Sequence, residues 1–378
     1  MVANLSLSNT IKIELIAERL QALSHEVEVI SPGEVVGTHV RLYRGFREAK
    51  PFHEDIPVHY ASTLPVRFVN GFWSSWRLFQ LFAARHLESP FDVVIVFNPK
   101  RPHITCAIDA IRQFGLPVVL EYEDDLLVNV MGQQNNSAPA RYQRQLFTRL
   151  LNVVSGGIAV SPRLLAQFPE RIPKLLLRGV VGDDIARRSA LTTVPKRNWI
   201  LFSGTLVEWS GIAKLVESWD ADAFPGWELH ITGHGQLTEQ VKQAAAAKRG
   251  VIFHGLVNRE TLVDLLCSSR ICVNPYAVSQ SPGNVFAFKI IEYLAAGAHC
   301  ITTPMGALEP EIEAGITYMP DNMPATIAAT LQQVINERRY ERPAADAVLR
   351  RYGAASVEES LDSLLQAVME SKACSVGV

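Results

Sequence analysis

Lys289 and Glu292 have the most definite chemistry in the sequence, and they follow a loop at residues 282–285. Because they are three positions apart, they share one face of a helix, for which Asn284 is a suitable cap. The free amides of a first turn at residues 283–286 would bind an anion. A lysine beside such a turn suits a phosphate, and a carboxylate suits a pair of hydroxyl groups. The pattern predicts a nucleoside diphosphate site, although a solvated Lys–Glu contact would produce the same spacing.

Glycines follow three strand-like runs in the second half of the chain. Gly204 and Gly233 come directly after apolar runs, and Gly255 closes a third. Gly233 and Gly235 would allow a tight turn after the strand at 228–232, with close approach of the backbone to a ligand. Gly233 and Gly235 also begin a dinucleotide-binding pattern, but that pattern needs a third glycine where Thr238 stands. We therefore favour a ligand-binding turn over a nicotinamide site.

Acidic residues end a strand-like run in the first half of the chain, in the sequence LEYEDDL at residues 120–126. Glu123 and Asp124 would lie at the carboxyl end of that strand, where they could orient hydroxyl groups of a ligand or accept a proton. A helix cap with a solvated acidic turn is the alternative interpretation. The order of these residues is not that of a D-x-D metal motif.

The elements that would position these residues are short apolar strands alternating with helices along the whole chain. The predicted strands lie at residues 2–7, 26–30, 58–60, 92–97, 117–122, 157–160, 199–203, 228–232, 251–253, 271–274 and 299–302. This alternation predicts an α/β protein with two Rossmann-like, doubly wound parallel-sheet domains facing each other across a cleft. The predicted segments are a domain at 1–185, a polar linker at 186–197, a second domain at 198–355 and a helix within 356–378 that can cross back to the first domain.

The composition is that of an ordinary globular protein. The chain has 378 residues, 48% of them hydrophobic, and a net charge of −2, which excludes general disorder and gives no overall attraction for nucleic acid. Five cysteines without a CxxC pair indicate a reducing compartment and no structural zinc. No apolar stretch approaches the roughly 18 residues that span a bilayer. We expect a cytoplasmic enzyme, with peripheral contact at the inner face of a membrane left open.

Four motifs occur in a fixed order over the second half: FSGTLVEWSG (202–211), LHITGHG (229–235), VIFHG (251–255) and FKIIEYLAAG (288–297). Together they resemble the carboxyl-terminal domain of GT-B glycosyltransferases, specifically the retaining family GT4. The resemblance implies a nucleotide-sugar donor, retention of anomeric configuration, no metal and no cofactor. Two features depart from the family pattern. Asn284 stands where a glutamate usually pairs with Glu292, and Thr205 and Ser210 replace the two basic residues that contact the donor diphosphate.

The resemblance also implies roles for individual residues. Glu123 and Asp124 occupy the position of a His–Asp pair found in many members, so they are candidates for catalysis together with Lys289. The predicted donor-binding residues are Gly204, Thr205, Ser210, Gly233, Gly235, Gly255, Leu256, Gly283, Asn284, Val285, Phe286, Lys289 and Glu292. The expected function is sugar transfer to a carbohydrate or lipid-linked acceptor, in bacterial surface polysaccharide or glycoconjugate synthesis.

Three further possibilities remain open at the level of sequence. Loss of the basic pair would suit a partner subunit that binds without turnover, and the same fold would also suit a nucleotide-sugar epimerase. Phe72, Trp76 and Phe79 recur at helical spacing, as core residues or as a surface for lipid headgroups or a lipid-linked acceptor. The same question is posed by three arginines, Arg141, Arg144 and Arg149, with Leu146, Phe147 and Leu150.

Overall fold

The computed structural model describes residues 7–33, 40–49, 56–66, 69–125, 137–191, 195–277, 286–306, 308–341 and 344–376. Internal contacts divide the chain into two compact units. The first unit comprises Met1–Asn129, Gln134–Leu177 and Glu358–Val378, and the second comprises Val130–Gln133 and Arg178–Val357. Each unit is described by itself below.

The first unit contains two sheets. Its strands are β1 (Val29–Ser31), β2 (Phe46–Ala49), β3 (Pro57–Tyr60), β4 (Val94–Phe97), β5 (Val118–Tyr122), β6 (Gly156–Ala159) and β7 (Lys174–Leu176). The larger sheet has the order β4-β5-β6-β7 with all neighbours parallel, and the smaller has the order β1-β3-β2 with β2 antiparallel to β3. Every residue of β5 is buried, as expected for a central strand of a parallel sheet.

Helices cover the sheets of the first unit. They are α1 (Leu7–Ala22), α2 (Asn70–Glu88), α3 (Arg101–Phe114), α4 (Ala138–Leu151) and α5 (Pro162–Leu165). Ser137 caps α4, since its hydroxyl accepts a hydrogen bond from the Ala140 N–H. A cluster of buried side chains packs α2 against α3 and comprises Leu78, Phe79, Phe82, Cys106, Ala110 and Leu116.

The second unit is built on one parallel sheet. Its strands are β8 (Arg197–Ser203), β9 (Glu228–Thr232), β10 (Val251–Gly255), β11 (Ser269–Asn274), β12 (His299–Thr302) and β13 (Ile316–Tyr318). Their order is β10-β9-β8-β11-β12-β13, with every neighbour parallel. The chain therefore winds outward from β8 in one direction and from β11 in the other. The carboxyl ends of β8 and β11 form the switch point at which open α/β sheets bind ligands.

The helices of the second unit are α6 (Asp183–Ser189), α7 (Ile212–Ser218), α8 (Thr238–Ala246), α9 (Arg259–Ser268), α10 (Lys289–Ala295), α11 (Pro310–Glu313), α12 (Pro324–Asn336) and α13 (Ala345–Tyr352). The core includes Ile200, Phe202, Leu215, Leu229, Ile231, Val273 and Leu331. The last helix is α14 (Ala354–Val376), and from Glu358 onward it belongs to the first unit, where Glu358 pairs with Arg19 at 3.1 Å. Among the described residues, no helix has both the length and the apolar composition needed to cross a membrane.

The predicted α/β class with two parallel-sheet domains is confirmed. Most predicted strands are present with ends shifted by a few residues, but β2, β7 and β13 were not predicted. Each has only three or four residues, too few to show a period. The predicted strand at 2–7 lies outside the described residues except for Leu7, which begins α1. The expected linker was wrong in one respect, because α6 occupies part of it. The predicted domain boundaries stay predictions.

Candidate functional site

The ends of β8, β9 and β10 are joined through their backbones. The Gly204 N–H donates to the Thr232 carbonyl at 3.1 Å, and the Gly233 N–H donates to the Gly255 carbonyl at 2.8 Å. A Cβ atom at Gly233 would lie 1.8 Å from the Gly204 carbonyl oxygen, and the φ of Gly233 is +138°. Only glycine fits where two backbones come so close. These glycines therefore form one glycine-lined edge at the ends of β8, β9 and β10.

The loops after β8 and β9 lie against each other in the same way. The Leu206 N–H donates to the His234 carbonyl at 3.1 Å, and a Cβ at Gly235 would lie 2.4 Å from the Leu206 oxygen. By contrast, the side chains of Thr205 and Leu256 point into solvent, and Leu256 is 64% exposed. Backbone contacts therefore hold these loops together, and the exposed side chains of Thr205 and Leu256 are available to contact a ligand.

Lys289 is the first residue of α10 and lies at the switch point. Its ammonium donates to the Ser203 carbonyl at 3.3 Å and lies 4.4 Å and 4.7 Å from the ring centroids of Phe202 and Tyr276. Gly204 makes room for it, since a Cβ there would be 3.2 Å from the nitrogen. Burial lowers the pKa of Lys289 to about 7. Within the described residues, no carboxylate forms an ion pair with it.

Tyr293 fixes α10 on the end of β8. Its hydroxyl accepts a hydrogen bond from the Ser203 N–H at 3.0 Å and donates to the Ser203 carbonyl at 3.0 Å. Tyr293 is fully buried, and it lies one turn after Lys289 on the same face of the helix. The position of the lysine is therefore set by a rigid contact between α10 and β8.

Glu292 has a different partner from the one that its spacing suggests. Its Oε1 accepts a hydrogen bond from Arg259 Nη1 at 2.7 Å, and Arg259 in turn contacts Asp184 at 2.6 Å and 3.1 Å. Burial alone would raise the pKa of Asp184, but the hydrogen bonds from Arg259 outweigh it and lower that pKa. In the described part of the chain no ion pair joins Glu292 to Lys289, so the solvated Lys–Glu alternative is wrong.

Sequence reasoning missed Arg259 and Asp184. Both partners of Arg259 are distant in sequence, at separations of 33 and 75 residues, so no local pattern connects them. One weak signal exists. Arg259 is the first residue of α9, where a positive charge is unfavourable beside the helix dipole and thus calls for a compensating partner.

The expected helix start at Asn284 needs a correction. The helix begins at Lys289, and the residues before it are anchored by the buried side chains of Phe286 and Phe288 rather than by a polar cap. The described start of the helix therefore has no side-chain cap. The predicted donor residues Gly283, Asn284 and Val285 lie outside the described residues.

Ser210 also differs from expectation. Its side chain is 1% exposed, and its hydroxyl donates to the Val207 carbonyl at 2.7 Å, which closes a turn of 3₁₀ helix at Glu208–Ser210. A hydroxyl already used inside the chain is not available to a phosphate. We therefore leave Ser210 out of the site proposed below, whereas Thr205 remains exposed beside Gly204.

The acidic residues of the first unit are organised by Asn98, which follows β4. Its Oδ1 accepts hydrogen bonds from the N–H groups of Glu123 and Asp124 at 2.9 Å and 3.0 Å, and its Nδ2 donates to Asp124 Oδ2 at 3.2 Å. Asn98 is fully buried and has a φ of 55°, a left-handed conformation that costs energy for residues other than glycine. Burial, with Glu123 nearby, raises the pKa of Asp124.

Lys12 on α1 completes this cluster. Its ammonium contacts Glu121 at 2.7 Å, pairs with Glu123 and donates to the Leu177 carbonyl at 3.3 Å. Burial, partly offset by Lys12, raises the pKa of Glu121 to about 7. The Glu123 side chain is only 12% exposed, so the alternative interpretation as a solvated acidic turn is wrong for this residue. Lys12 was not predicted from the sequence.

Within the described residues, no group of three histidine, cysteine or acidic side chains could hold a metal ion. The four cysteines with described side chains are buried and unpaired. The absence of metal and cofactor stays a prediction.

Two parallel-sheet α/β units are the architecture of the GT-B fold class, which the chain shares with solved glycosyltransferases. Residues 197–337 match the model of the family described as glycosyl transferases group 1, and residues 12–173 match the model of the glycosyl transferase 4-like domain. The chain therefore belongs to the group 1 glycosyltransferases. The predicted recognition is confirmed.

Three solved structures share the fold. Sucrose-phosphate synthase from Thermosynechococcus elongatus is 16% identical with a TM-score of 0.69, over 96% of this chain and 93% of that one. A glycosyltransferase from Rickettsia africae is 14% identical with a TM-score of 0.68, over 97% of each chain. The catalytic domain of starch synthase IV from Arabidopsis thaliana, bound to ADP and acarbose, is 12% identical with a TM-score of 0.61, over 95% of each chain. No curated protein matches the sequence.

Proposed function

We propose that the protein transfers a hexosyl group from a nucleoside diphosphate sugar to an acceptor hydroxyl, with retention and without a metal, in the manner of family GT4. The setting proposed is bacterial surface polysaccharide or glycoconjugate synthesis in the cytoplasm. One observation carries the proposal. A lysine ammonium without a carboxylate partner among the described residues lies at the switch point of the sheet, beside Gly204.

The environment of Lys289 suits a diphosphate. Burial lowers its pKa to about 7, so the charged form lacks a compensating partner in the free protein. A diphosphate beside the ammonium would supply the missing negative charge and restore protonation. When the glycosidic bond to the diphosphate breaks, negative charge develops on the leaving group, and a fixed ammonium stabilises that charge. We therefore assign Lys289 both donor binding and stabilisation of the leaving group.

Glu292 is proposed to bind the ribose of the donor. Arg259 occupies its Oε1, while Oε2 has no hydrogen-bond partner among the described residues. An oriented carboxylate oxygen suits two adjacent hydroxyl groups, which are both donors. The glycine-lined edge at Gly204, Gly233, Gly235 and Gly255, with Thr205, Leu256 and Phe286, is proposed to hold the rest of the nucleotide. The starch synthase structure that contains ADP and acarbose supports a nucleotide and a sugar on this fold.

Asp124 is proposed to face the acceptor. Burial and the nearby Glu123 raise its pKa, which improves a carboxylate as a proton acceptor near neutral pH. Glu123 is already paired with Lys12, so we assign it the orientation of Asp124 and of sugar hydroxyls. The acceptor is a carbohydrate or a lipid-linked sugar, and peripheral contact with the inner face of a membrane follows for the second.

The alternative functions rest on the missing basic pair. With Thr205 in place of arginine and Ser210 used internally, Lys289 is the one charged candidate for the diphosphate within the described part of this edge. Weak donor binding without turnover would favour a partner subunit. Interconversion of the donor sugar at C2 in the absence of acceptor would favour an epimerase.

Incubation with UDP-, GDP-, ADP- and dTDP-sugars tests the proposal, with nucleotide release and thermal shift as readouts. We expect one donor class to be stabilised and to release nucleotide in the presence of acceptor, with the product retaining its anomeric configuration by NMR. Lys289→Ala and Glu292→Ala should each weaken donor binding about tenfold or more. Lys214→Ala is the control, since that lysine contacts Asn322 elsewhere in the second unit. Unchanged affinity in both site variants would reject the assigned site.

A further inference from the structure

Charge is strongly segregated in the first half of the chain. Residues 126–169 contain four arginines and no aspartate or glutamate, and residues 56–87 contain three arginines and no acidic residue. The chain as a whole has a net charge of −2, so this segregation is not a consequence of composition. These two stretches include all of α4 and nearly all of α2. Apart from Glu88, the last residue of α2, the charged side chains of these two helices are therefore all arginines.

The aromatic residues of α2 divide between core and surface. Phe79 and Phe82 are buried in the core cluster, as the core interpretation predicted. Phe72 and Trp76 are instead 65% and 52% exposed, so the core interpretation was wrong for them. Val69, just before the helix, is also exposed. Large apolar side chains that cluster in water mark a contact surface.

Arginine and aromatic side chains interleave across three helices. The Arg101 guanidinium, at the start of α3, lies 3.8 Å from the Phe72 ring centroid on α2 and 5.2 Å from that of Tyr142 on α4. Tyr142 is 44% exposed, and Arg77 lies 5.3 Å from the Trp76 ring. On α4, one face of the helix carries Arg141, Arg144, Gln145, Thr148 and Arg149. We call this the aromatic–arginine surface: Val69, Phe72, Trp76, Arg77, Arg101, Arg141, Tyr142, Arg144 and Arg149.

We propose that the aromatic–arginine surface binds an anionic lipid membrane. Arginines near a negatively charged bilayer each contribute about 1 kcal/mol, or about fivefold in affinity. Aromatic rings between them suit the boundary between headgroups and acyl chains, because the rings contact the acyl chains while the arginines contact the headgroups. A single-stranded nucleic acid would use the arginines and stack on the rings, but it gives no role to the exposed aliphatic side chain of Val69 beside them. The combination of exposed apolar side chains and one sign of charge selects the membrane.

The aromatic–arginine surface lies on the side of the first unit where a lipid-linked acceptor would have to bind. In alternating folds the helices begin at the carboxyl edge of the sheet, and α3 follows β4 while α4 follows β5. The Gln143 side chain on α4 donates to the Pro99 carbonyl at 3.0 Å, directly after Asn98, which contacts Asp124. A docked membrane would therefore present its headgroups near Asp124. This last step rests on the proposed function, whereas membrane binding itself does not.

Vesicle flotation of the 378-residue chain tests the proposal. We expect binding to vesicles of phosphatidylcholine with phosphatidylglycerol, weaker binding as salt rises, and little binding to phosphatidylcholine alone. Arg141→Gln with Arg149→Gln should reduce the partition coefficient about 25-fold, and Phe72→Ala with Trp76→Ala should reduce it at least fivefold. Two matched controls should bind as the wild type does: Arg112→Gln at the last turn of α3, and Leu87→Ala, which is 75% exposed at the last turn of α2.

Nucleotide binding is measured on the same samples, because it separates the two proposals. Vesicle binding lost in both double variants, with nucleotide affinity unchanged, supports the membrane surface. Equal binding to neutral and anionic vesicles, unchanged binding in both double variants, or binding to a single-stranded oligonucleotide with none to vesicles would each overturn it. If vesicle binding behaves as expected but no nucleotide binds, the membrane surface stands and the proposed function fails.

Discussion

Arg259 Nη1 lies 2.7 Å from Glu292 Oε1, and this contact joins the first turn of α9 to α10. Asp184 holds the opposite side of the guanidinium at 2.6 Å. The carboxylate that we assign to the ribose is thus oriented by residues that do not belong to any of the recognised motifs. Arg259 is a positioning residue in this account, and its effect should be visible only through Glu292.

Arg259→Gln is therefore expected to abolish discrimination between ribose and 2′,3′-dideoxyribose. In the wild type, removal of the two hydroxyls should weaken nucleotide binding about tenfold or more, since each lost hydrogen bond to a charged group costs about 1.5–3 kcal/mol. In Arg259→Gln the two nucleotides should bind alike. Calorimetric titration measures both. Arg188→Gln is the control, because that arginine joins α6 to Asp264 at 2.8 Å on the surface; a ratio unchanged in Arg259→Gln contradicts the assignment.

Donor binding should depend on pH through Lys289. Its pKa is lowered to about 7 in the free protein, so the charged form that attracts a diphosphate is lost as pH rises above 7. Bound diphosphate raises that pKa, and affinity should therefore fall by up to about tenfold per pH unit between about pH 7 and the pKa of the complex. Lys289→Arg keeps its charge and should lack this dependence. Subtracting the pH profile of donor affinity for Lys289→Arg from that of the wild type removes the effect of nucleotide ionisation. Identical profiles in the two proteins would refute the role of the lysine.

Gly233→Ala should unfold or strongly destabilise the second unit. The added Cβ would lie 1.8 Å from the Gly204 carbonyl oxygen, and relief requires separation of two backbone loops. Gly226→Ala is the matched control, since it also has a positive φ, +78°, but nothing lies within 4 Å of the new atom. We expect a loss of about 1–2 kcal/mol for the control and several times that for Gly233→Ala. Urea denaturation, monitored by tryptophan fluorescence, gives the free energy of unfolding of both variants. Similar losses in the two would contradict the close contact at the glycine-lined edge.

Asn98→Gly separates the conformation of this residue from its hydrogen bonds. Glycine tolerates a φ of 55° but cannot hold the N–H groups of Glu123 and Asp124. We expect acceptor-dependent transfer to fall about tenfold or more, with nucleotide affinity unchanged, because the acidic turn loses its support. Asn152→Gly, at the end of α4, is the control. Full transfer activity in Asn98→Gly would show that Asp124 needs no such positioning.

Local patterns in the sequence were sufficient to identify five of the six strands in the sheet of the second unit. Gly204, Gly233 and Gly255 follow strands whose apolar runs are unmistakable, and parallel strands bring their ends together. The motif FKIIEYLAAG likewise placed Lys289 and Glu292 on one helix. These features depend on spacing along the chain, which a sequence displays directly.

The rest depends on contacts between distant parts of the chain. Arg259 meets Asp184 and Glu292 across 75 and 33 residues, and nothing at those positions indicates the pairing. A lysine such as Lys12 suggests a solvated side chain, yet here it is buried between two glutamates. The left-handed φ of Asn98 and the internal hydrogen bond of Ser210 are equally invisible, because tertiary packing decides them.

The most direct test of the central claim is a crystal structure of the protein with the nucleoside diphosphate that binds it most tightly. The account predicts that a diphosphate oxygen lies about 2.7–2.9 Å from the Lys289 ammonium, beside Gly204, with the ribose hydroxyls on Glu292. A diphosphate bound elsewhere, with Lys289 still hydrogen-bonded only to the Ser203 carbonyl, would contradict it.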